Sequence, residues 1–192
     1  MKLDIILAGV GGQGILTIAT VIGEAALAEG LHIKQAEVHG MSQRGGDVHS
    51  NMRISSDLIH SDLVGKGSAD VVISLEPMEA LRYAAHLKPQ GWIVSSLTPV
   101  VNITNYPSPD EIIARLRARP HTVLVDADAL AQDCGAMRSA NIVLLGAASG
   151  VLGIDYAGLE EGIRNVFSRK GEAVVEANLK ALAAGRRAAA KG

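Results

Sequence analysis

An apolar run that ends in a cluster of glycines, Ile5-Ile6-Leu7-Ala8-Gly9-Val10-Gly11-Gly12-Gln13-Gly14, constrains the fold of this chain more than any other stretch. Gly9, Gly11 and Gly14 match G-x-G-x-x-G between an expected strand at Leu3–Ala8 and an expected helix at Ile15–Ala28, which is a strand–turn–helix setting. Residues without Cβ atoms permit a tight turn and let a ligand approach the main chain, while the unpaired N–H groups of a helix start face an anion. The same glycines also let a strand and a helix pack closely, so the motif alone leaves both uses open. Gly12-Gln13 inside it is unusual for a dinucleotide binder.

The rest of the chain continues the alternation. Leu31–Val38 reads as a second strand with Glu37 near its end, a place where an acidic residue holds a ribose hydroxyl in dinucleotide binders or is simply a solvated strand end. His39-Gly40-Met41-Ser42-Gln43-Arg44-Gly45-Gly46 follows as a polar loop at the carboxyl end of that strand, on the side where open α/β sheets bind ligands. Val48, Ser50, Met52 and Ile54 then alternate with polar residues, which is a strand period. Ser55-Ser56-Asp57 can turn this strand so that Leu58-Ile59-His60 returns as its antiparallel partner. Further buried strands are expected at Ala69–Leu75, Trp92–Val94 and Thr122–Asp126. Helices are expected after Glu76-Pro77, after a capping box at Ser108-Pro109-Asp110-Glu111, and at Ala127–Gly135, Asn141–Leu152, Asp155–Phe167 and Glu172–Ala190. The pattern predicts one α/β domain over residues 1–192: a doubly wound, mostly parallel, Rossmann-like sheet with one β-hairpin excursion.

Composition narrows the function. Aromatics make up 3% of the chain and the formal net charge is −2, so neither a base-stacking surface nor a basic nucleic-acid footprint is expected. No apolar run reaches the ~18 residues of a membrane span, and Met1-Lys2-Leu3-Asp4 leads straight into a strand, so no cleavable signal is expected. The single cysteine, Cys134, can form no internal disulfide and cannot by itself ligate an iron–sulfur cluster, which suits a reducing cytoplasm.

Catalytic signatures are sparse. None of the six histidines stands in a metal-type spacing, His39 and His49 being the most suggestive pair. There is no G-x-S-x-G elbow and no G-x-x-x-x-G-K-[ST] phosphate loop. What the chain offers is a rim of strand ends: the glycine turn, the Ser-Gln-Arg-Gly-Gly loop, Glu76-Pro77 and Ser95-Ser96. Such a rim binds a ligand or a partner. The residues expected to do so are Gly9, Gly11, Gly12, Gln13 and Gly14 of the turn and Ser42, Gln43 and Arg44 of the loop, which should lie beside the turn because both follow neighbouring strands. No residue is assigned a catalytic role and none a metal.

Gly9-Val10-Gly11-Gly12-Gln13-Gly14, Met41-Ser42-Gln43-Arg44-Gly45-Gly46 and Leu75-Glu76-Pro77-Met78-Glu79-Ala80, in that order, resemble the gamma component of the 2-oxoacid:ferredoxin oxidoreductases. Within that family, a short chain with Ser-Gln-Arg-Gly-Gly looks most like the beta subunit of indolepyruvate:ferredoxin oxidoreductase. The resemblance implies a large partner subunit carrying thiamine diphosphate, Mg and 4Fe-4S clusters. It implies oxidation of an aryl 2-oxoacid, with coenzyme A as co-substrate and ferredoxin as electron acceptor, and activity only in the complex. Two readings from other classes use the same glycine turn: a self-sufficient nicotinamide- or flavin-binding oxidoreductase, and a stand-alone nucleotide-sensing module.

Overall fold

The structure, a computed structural model, describes residues 1–38 and 46–190 in full and the backbone of His39. Its centre is strand β1, Lys2–Val10, buried from Leu3 onward. Apolar residues occupy both faces of β1 because both faces are covered. Leu3, Ile5 and Leu7 point into the larger core, while Ile6 and Ala8 point to the opposite side. Helix α1, Ile15–Ala28, follows and lays Ile15, Ile18, Val21, Ile22 and Ala25 on the larger core. It ends where Gly30 takes φ +73°, with Gly30 N–H donating to Leu27 O and Leu31 N–H to Ala26 O. This pair of bonds satisfies the last carbonyls and needs a residue that tolerates a left-handed backbone.

Strand β2, His32–His39, does not pair with β1. Strand β3, Asp47–Ser55, lies between them and runs antiparallel to both, with Asp4 facing Arg53 and Lys34 facing Arg53 on the other side. The expected hairpin therefore exists, but its arms are β2 and β3, and residues 58–60 form no strand. The physical reason is Asp4. Its carboxylate is 1% exposed and requires a cation, which Arg53 supplies from the facing position with Nε 2.7 Å from Oδ1. The same guanidinium donates from Nη1 to the carbonyls of Ser61 and Leu63, so the segment after β3 is tied down as a loop. Of residues 58–60 only Ile59 is buried, and Leu58 is left 67% exposed.

Strands β4 (Ala69–Ser74), β5 (Leu87–Ser96) and β6 (Thr122–Val125) add in parallel on the other side of β1, completing a six-stranded sheet of order β2-β3-β1-β4-β5-β6. Only β3 runs against the rest. Helices α2 (Pro77–Tyr83) and α3 (Pro109–Arg117) cover one face through Ala80, Ile112 and Leu116. Helices α4 (Ala127–Asp133), α5 (Ala140–Ala148), α6 (Tyr156–Phe167) and α7 (Glu172–Ala189) join α1 on the other. The sheet is thus covered on both faces, as the alternation of strands and helices predicted.

Two local expectations come out differently. Ser108 occupies the N-cap of α3, but its side chain makes no cap bond, so no capping box forms there; Pro109 and the acidic Asp110 and Glu111 in the first turn start the helix instead. Strand β5 begins at Leu87 rather than at Trp92, with a register irregularity opposite Ala69–Val71.

Candidate functional site

The turn between β1 and α1 is built by glycine geometry and one amide. Gly12 and Gly14 have φ of +102° and +84°, a region costly for any residue with a Cβ. A Cβ on Gly9 would come 2.9 Å from Gln13 Oε1 and 3.2 Å from Ile15 Cγ2. Gln13 itself turns inward: its Oε1 accepts from Val10 N–H at 2.7 Å and its Nε2 donates to Leu75 O at 3.1 Å. Both ends of the amide are thereby spent on the main chain, stitching the turn to the end of β4. This explains a glutamine where a dinucleotide binder ordinarily has a small residue.

The N–H groups of Gly12 and Gly14 have no partner among the described residues. Gly11 N–H donates to Gly46 O at 2.9 Å. The carbonyl of Gly14 accepts from Asn141 Nδ2 at 3.1 Å, which brings the first turn of α5 against the first turn of α1. A cavity of about 360 Å³ opens in front of this turn, lined by Gly11, Gly12, Gly14, Leu16, Glu37 and Val48 among others. One wall presents N–H groups at the positive end of a helix and suits an anion. The exposed Glu37 also lines the cavity; its carboxylate accepts from Gln35 Nε2 at 3.1 Å and suits a hydroxyl or amino group rather than a second negative charge.

Of the loop residues, Ser42, Gln43 and Arg44 lie outside the described residues. Of the residues that follow them, the Gly46 carbonyl accepts from Gly11 N–H and Asp47 pairs with Val10. Strand β3, and not β2, is the neighbour of β1, so the expected reason for bringing loop and turn together, that both follow neighbouring strands, does not hold. Ser95 and Ser96 are buried and spent locally, Ser95 Oγ on the Ser96 carbonyl and Ser96 Oγ on Thr98 N–H. Cys134 Sγ donates to Ala131 O at 3.5 Å.

Two polar clusters join residues that the sequence marks only singly, Glu76 and Glu79 in the Leu75–Ala80 motif and His49 among the histidines. Glu76 is fully buried and caps α2: Oε2 accepts from Glu79 N–H at 2.9 Å, and Oε1 accepts from Val100 N–H and from the hydroxyl of Tyr106. Burial first, and then the bond to Glu76, push the Tyr106 hydroxyl well above the usual phenol range. The second cluster joins β3 to α2. Tyr83 Oη lies 2.8 Å from Asp47 Oδ2 and 2.7 Å from His49 Nδ1, and Arg82 Nε lies 2.7 Å from Glu79 Oε2. Burial depresses the His49 imidazole. Asn141, Tyr106 and Tyr83 carry no local signal in the sequence because each acts across thirty residues of chain or more, at separations of 127, 30 and 36.

Residues 4–188 match the family described as pyruvate ferredoxin/flavodoxin oxidoreductase. The chain belongs to that family. An indolepyruvate oxidoreductase subunit IorB from Archaeoglobus fulgidus is 38% identical over 203 residues, covering 100% of this chain and 98% of its own. The gamma subunit of a keto/oxoacid ferredoxin oxidoreductase from Geobacter sulfurreducens superposes with a TM-score of 0.72 at 28% identity, covering 99% of each chain. A 2-oxoglutarate:ferredoxin oxidoreductase from Magnetococcus marinus, solved with 2-oxoglutarate, coenzyme A and succinyl-CoA bound, superposes at 0.77 and 25% identity over 100% of this chain but 31% of its own. The family's fold thus occurs both as a chain of this length and as part of a longer one.

Proposed function

We propose that this chain is the smaller subunit of an indolepyruvate or other aryl 2-oxoacid:ferredoxin oxidoreductase, and that its glycine-turn cavity meets coenzyme A or the large subunit. The observation that carries the proposal is the end-to-end similarity to an indolepyruvate oxidoreductase subunit. The donor set agrees with a division of labour. One cysteine, already bonded to a carbonyl, cannot hold a 4Fe-4S cluster, so the clusters belong with the large subunit. Thiamine diphosphate with Mg in that subunit would supply the decarboxylation chemistry, with electrons passing to ferredoxin and the acyl group to coenzyme A.

This chain's own contribution is positioning. The N–H groups of Gly12 and Gly14 and the start of α1 would hold a phosphate or a partner carboxylate, with Arg44 adding a bidentate contact. Gly9, Gly11 and Gln13 keep that wall in shape, and Ser42 and Gln43 complete the rim. Glu37 would take a hydroxyl in the same cavity. Among the described residues no helix is long and apolar enough to cross a membrane, and we place the complex in the cytoplasm.

Co-expression with the large subunit tests the proposal. A stable complex with thiamine-dependent oxidation of indolepyruvate is expected, and full activity from the large subunit alone would overturn it. Arg44→Ala should weaken coenzyme A use or assembly by a charge-assisted contact of roughly 1.5–3 kcal/mol, leaving the melting temperature of the free chain unchanged. Unchanged assembly and unchanged coenzyme A kinetics would remove the loop from the site. A tight stoichiometric complex of the free chain with NAD(H), FAD or FMN would favour a self-sufficient nucleotide enzyme instead.

A further inference from the structure

The two edges of the sheet are finished differently. At one edge stands β2, where His32, Lys34, Gln35 and Glu37 are all exposed. Exposed charges on an edge strand keep foreign strands away. At the other edge stands β6, Thr122-Val123-Leu124-Val125, which carries no charge and has its first three residues half-buried. Its four-residue length is the one device it shares with guarded edges, and it limits sheet-to-sheet growth without closing the edge to a short strand.

The pairing of β6 decides which of its backbone groups are free. Ile93 N–H donates to His121 O and Leu97 N–H to Val125 O, each at 2.9 Å. In a parallel pair this pattern turns the peptide groups of residues 121, 123 and 125 toward β5 and those of Thr122 and Leu124 outward. The outward N–H and C=O groups have no partner among the described residues. A cavity of about 270 Å³ lies along them. Thr122, Val123 and Leu124 line it, with Arg117 at the end of α3 on one flank and Ala188 and Ala189 at the end of α7 on the other. The Arg117 guanidinium is exposed and makes no ion pair among the described residues. An uncharged strand edge with free donors and acceptors therefore lies at the bottom of a cleft with an unpaired cation on its wall.

We infer that the β6 edge is the docking slot for an extended, acidic segment of the large subunit, which joins the sheet as a further strand beside β6. The main chain of that segment bonds to the outward groups of Thr122 and Leu124, and one of its carboxylates meets Arg117, a charge-assisted pair that also fixes register. Main-chain bonds give the contact its strength and the Arg117 wall gives it selectivity for an acidic segment. The recess favours a single inserted strand over a second copy of this chain. Two β6 edges brought together about a two-fold axis would touch at their flanking helices before the strands reached the ~4.8 Å of a bonded pair. The inference rests on the reading of this chain as one subunit of a larger enzyme, and it places a contact with the large subunit away from the glycine turn, at the far edge of the sheet.

Hydrogen exchange of the full chain, free and in complex with the co-expressed large subunit, reads the slot without any variant. In the free chain the amides of Thr122 and Leu124 should exchange fast while those of Val123 and Val125 are held by β5. In the complex, Thr122 and Leu124 should slow by about tenfold or more, and Val123 and Val125 should change little. Leu124→Pro removes an outward donor and none of the bonds to β5, whereas Leu124→Ala loses the same side chain and keeps the donor. The Pro variant should bind the large subunit at least about tenfold more weakly than the Ala variant, and Arg117→Glu about tenfold more weakly than the unaltered chain. A complex in which Thr122 and Leu124 still exchange fast, equal binding by the Pro and Ala variants, or undiminished binding by Arg117→Glu would each overturn the slot while leaving the subunit reading in place. Slow exchange of both amides in the free chain, with a dimer in sedimentation, would give the edge to a second copy and overturn it as well. If no complex forms at all, the subunit reading falls and the slot falls with it.

Discussion

Replacing Glu76 by Gln is the most revealing small change available in the fold. The side chain is fully buried and serves three donors from two directions: Glu79 N–H on one oxygen, Val100 N–H and the Tyr106 hydroxyl on the other. A glutamine has the same shape but only one oxygen. Whichever way it turns, its NH2 group faces a donor, and at least one N–H or O–H is left unpaired in the interior. An unsatisfied buried donor costs about 1–3 kcal/mol, and bonds to a charged acceptor exceed neutral ones by roughly 1 kcal/mol each. Glu76→Gln should therefore destabilise by about 2–4 kcal/mol, a large part of the ~5–15 kcal/mol that holds a domain together. Tyr106→Phe removes one of the same three bonds and should cost about 1.5–3 kcal/mol. Urea unfolding followed by circular dichroism gives both values, and an unchanged slope with denaturant shows that the native state is otherwise intact. Because the two residues share a bond, the double variant should cost less than the sum by about 1 kcal/mol or more. A loss below about 0.5 kcal/mol for Glu76→Gln, or strict additivity with Tyr106→Phe, would refute the reading of Glu76 as the clamp between α2 and the segment after β5.

Two further predictions concern close approach. A Cβ on Gly185 of α7 would lie 1.8 Å from the carbonyl oxygen of Val143 in α5, so Gly185→Ala should separate the two helices and cost at least about 3 kcal/mol, visible as a lowered urea midpoint or an insoluble chain. At the turn, Gly14 combines φ +84° with a Cβ position 2.8 Å from Asn141 Nδ2. Gly14→Ala should cost about 1–2 kcal/mol from the backbone alone, and adding Asn141→Ala should recover the part due to the clash; no recovery would remove Asn141 from the turn.

Much of the architecture could be read from local pattern because its causes are local. The apolar run Ile5–Ala8 requires cover on both faces, Gly30 suits the left-handed end of α1, and Asp155 caps α6 by accepting from Ala157 N–H. The glycine turn was legible for the same reason: its glycines answer to backbone angles within six residues. The pairing of β3 was not legible. Its two-residue period declares a strand and says nothing about its neighbour, and the choice between a local return at 58–60 and insertion beside β1 rested on the buried charge of Asp4 meeting Arg53. Gln13 shows the same limit. Its place in the motif suggested a ligand contact, whereas its amide reaches Leu75, 62 residues away, and is used by the main chain.

Periodicity, caps and turn glycines act over a few residues, so they appear in the chain as written: the six strands that form, the helices between them, and the glycine turn after β1. Charge and hydrogen-bond satisfaction act over ångströms in space. The insertion of β3 through Asp4 and Arg53, the bond from Tyr106 to Glu76, the approach of Asn141 to Gly14 and the bond from Tyr83 to Asp47 join residues from 30 to 127 positions apart. Only the packed chain brings those partners within reach, because burial is what makes an unpaired carboxylate or amide too costly to leave alone.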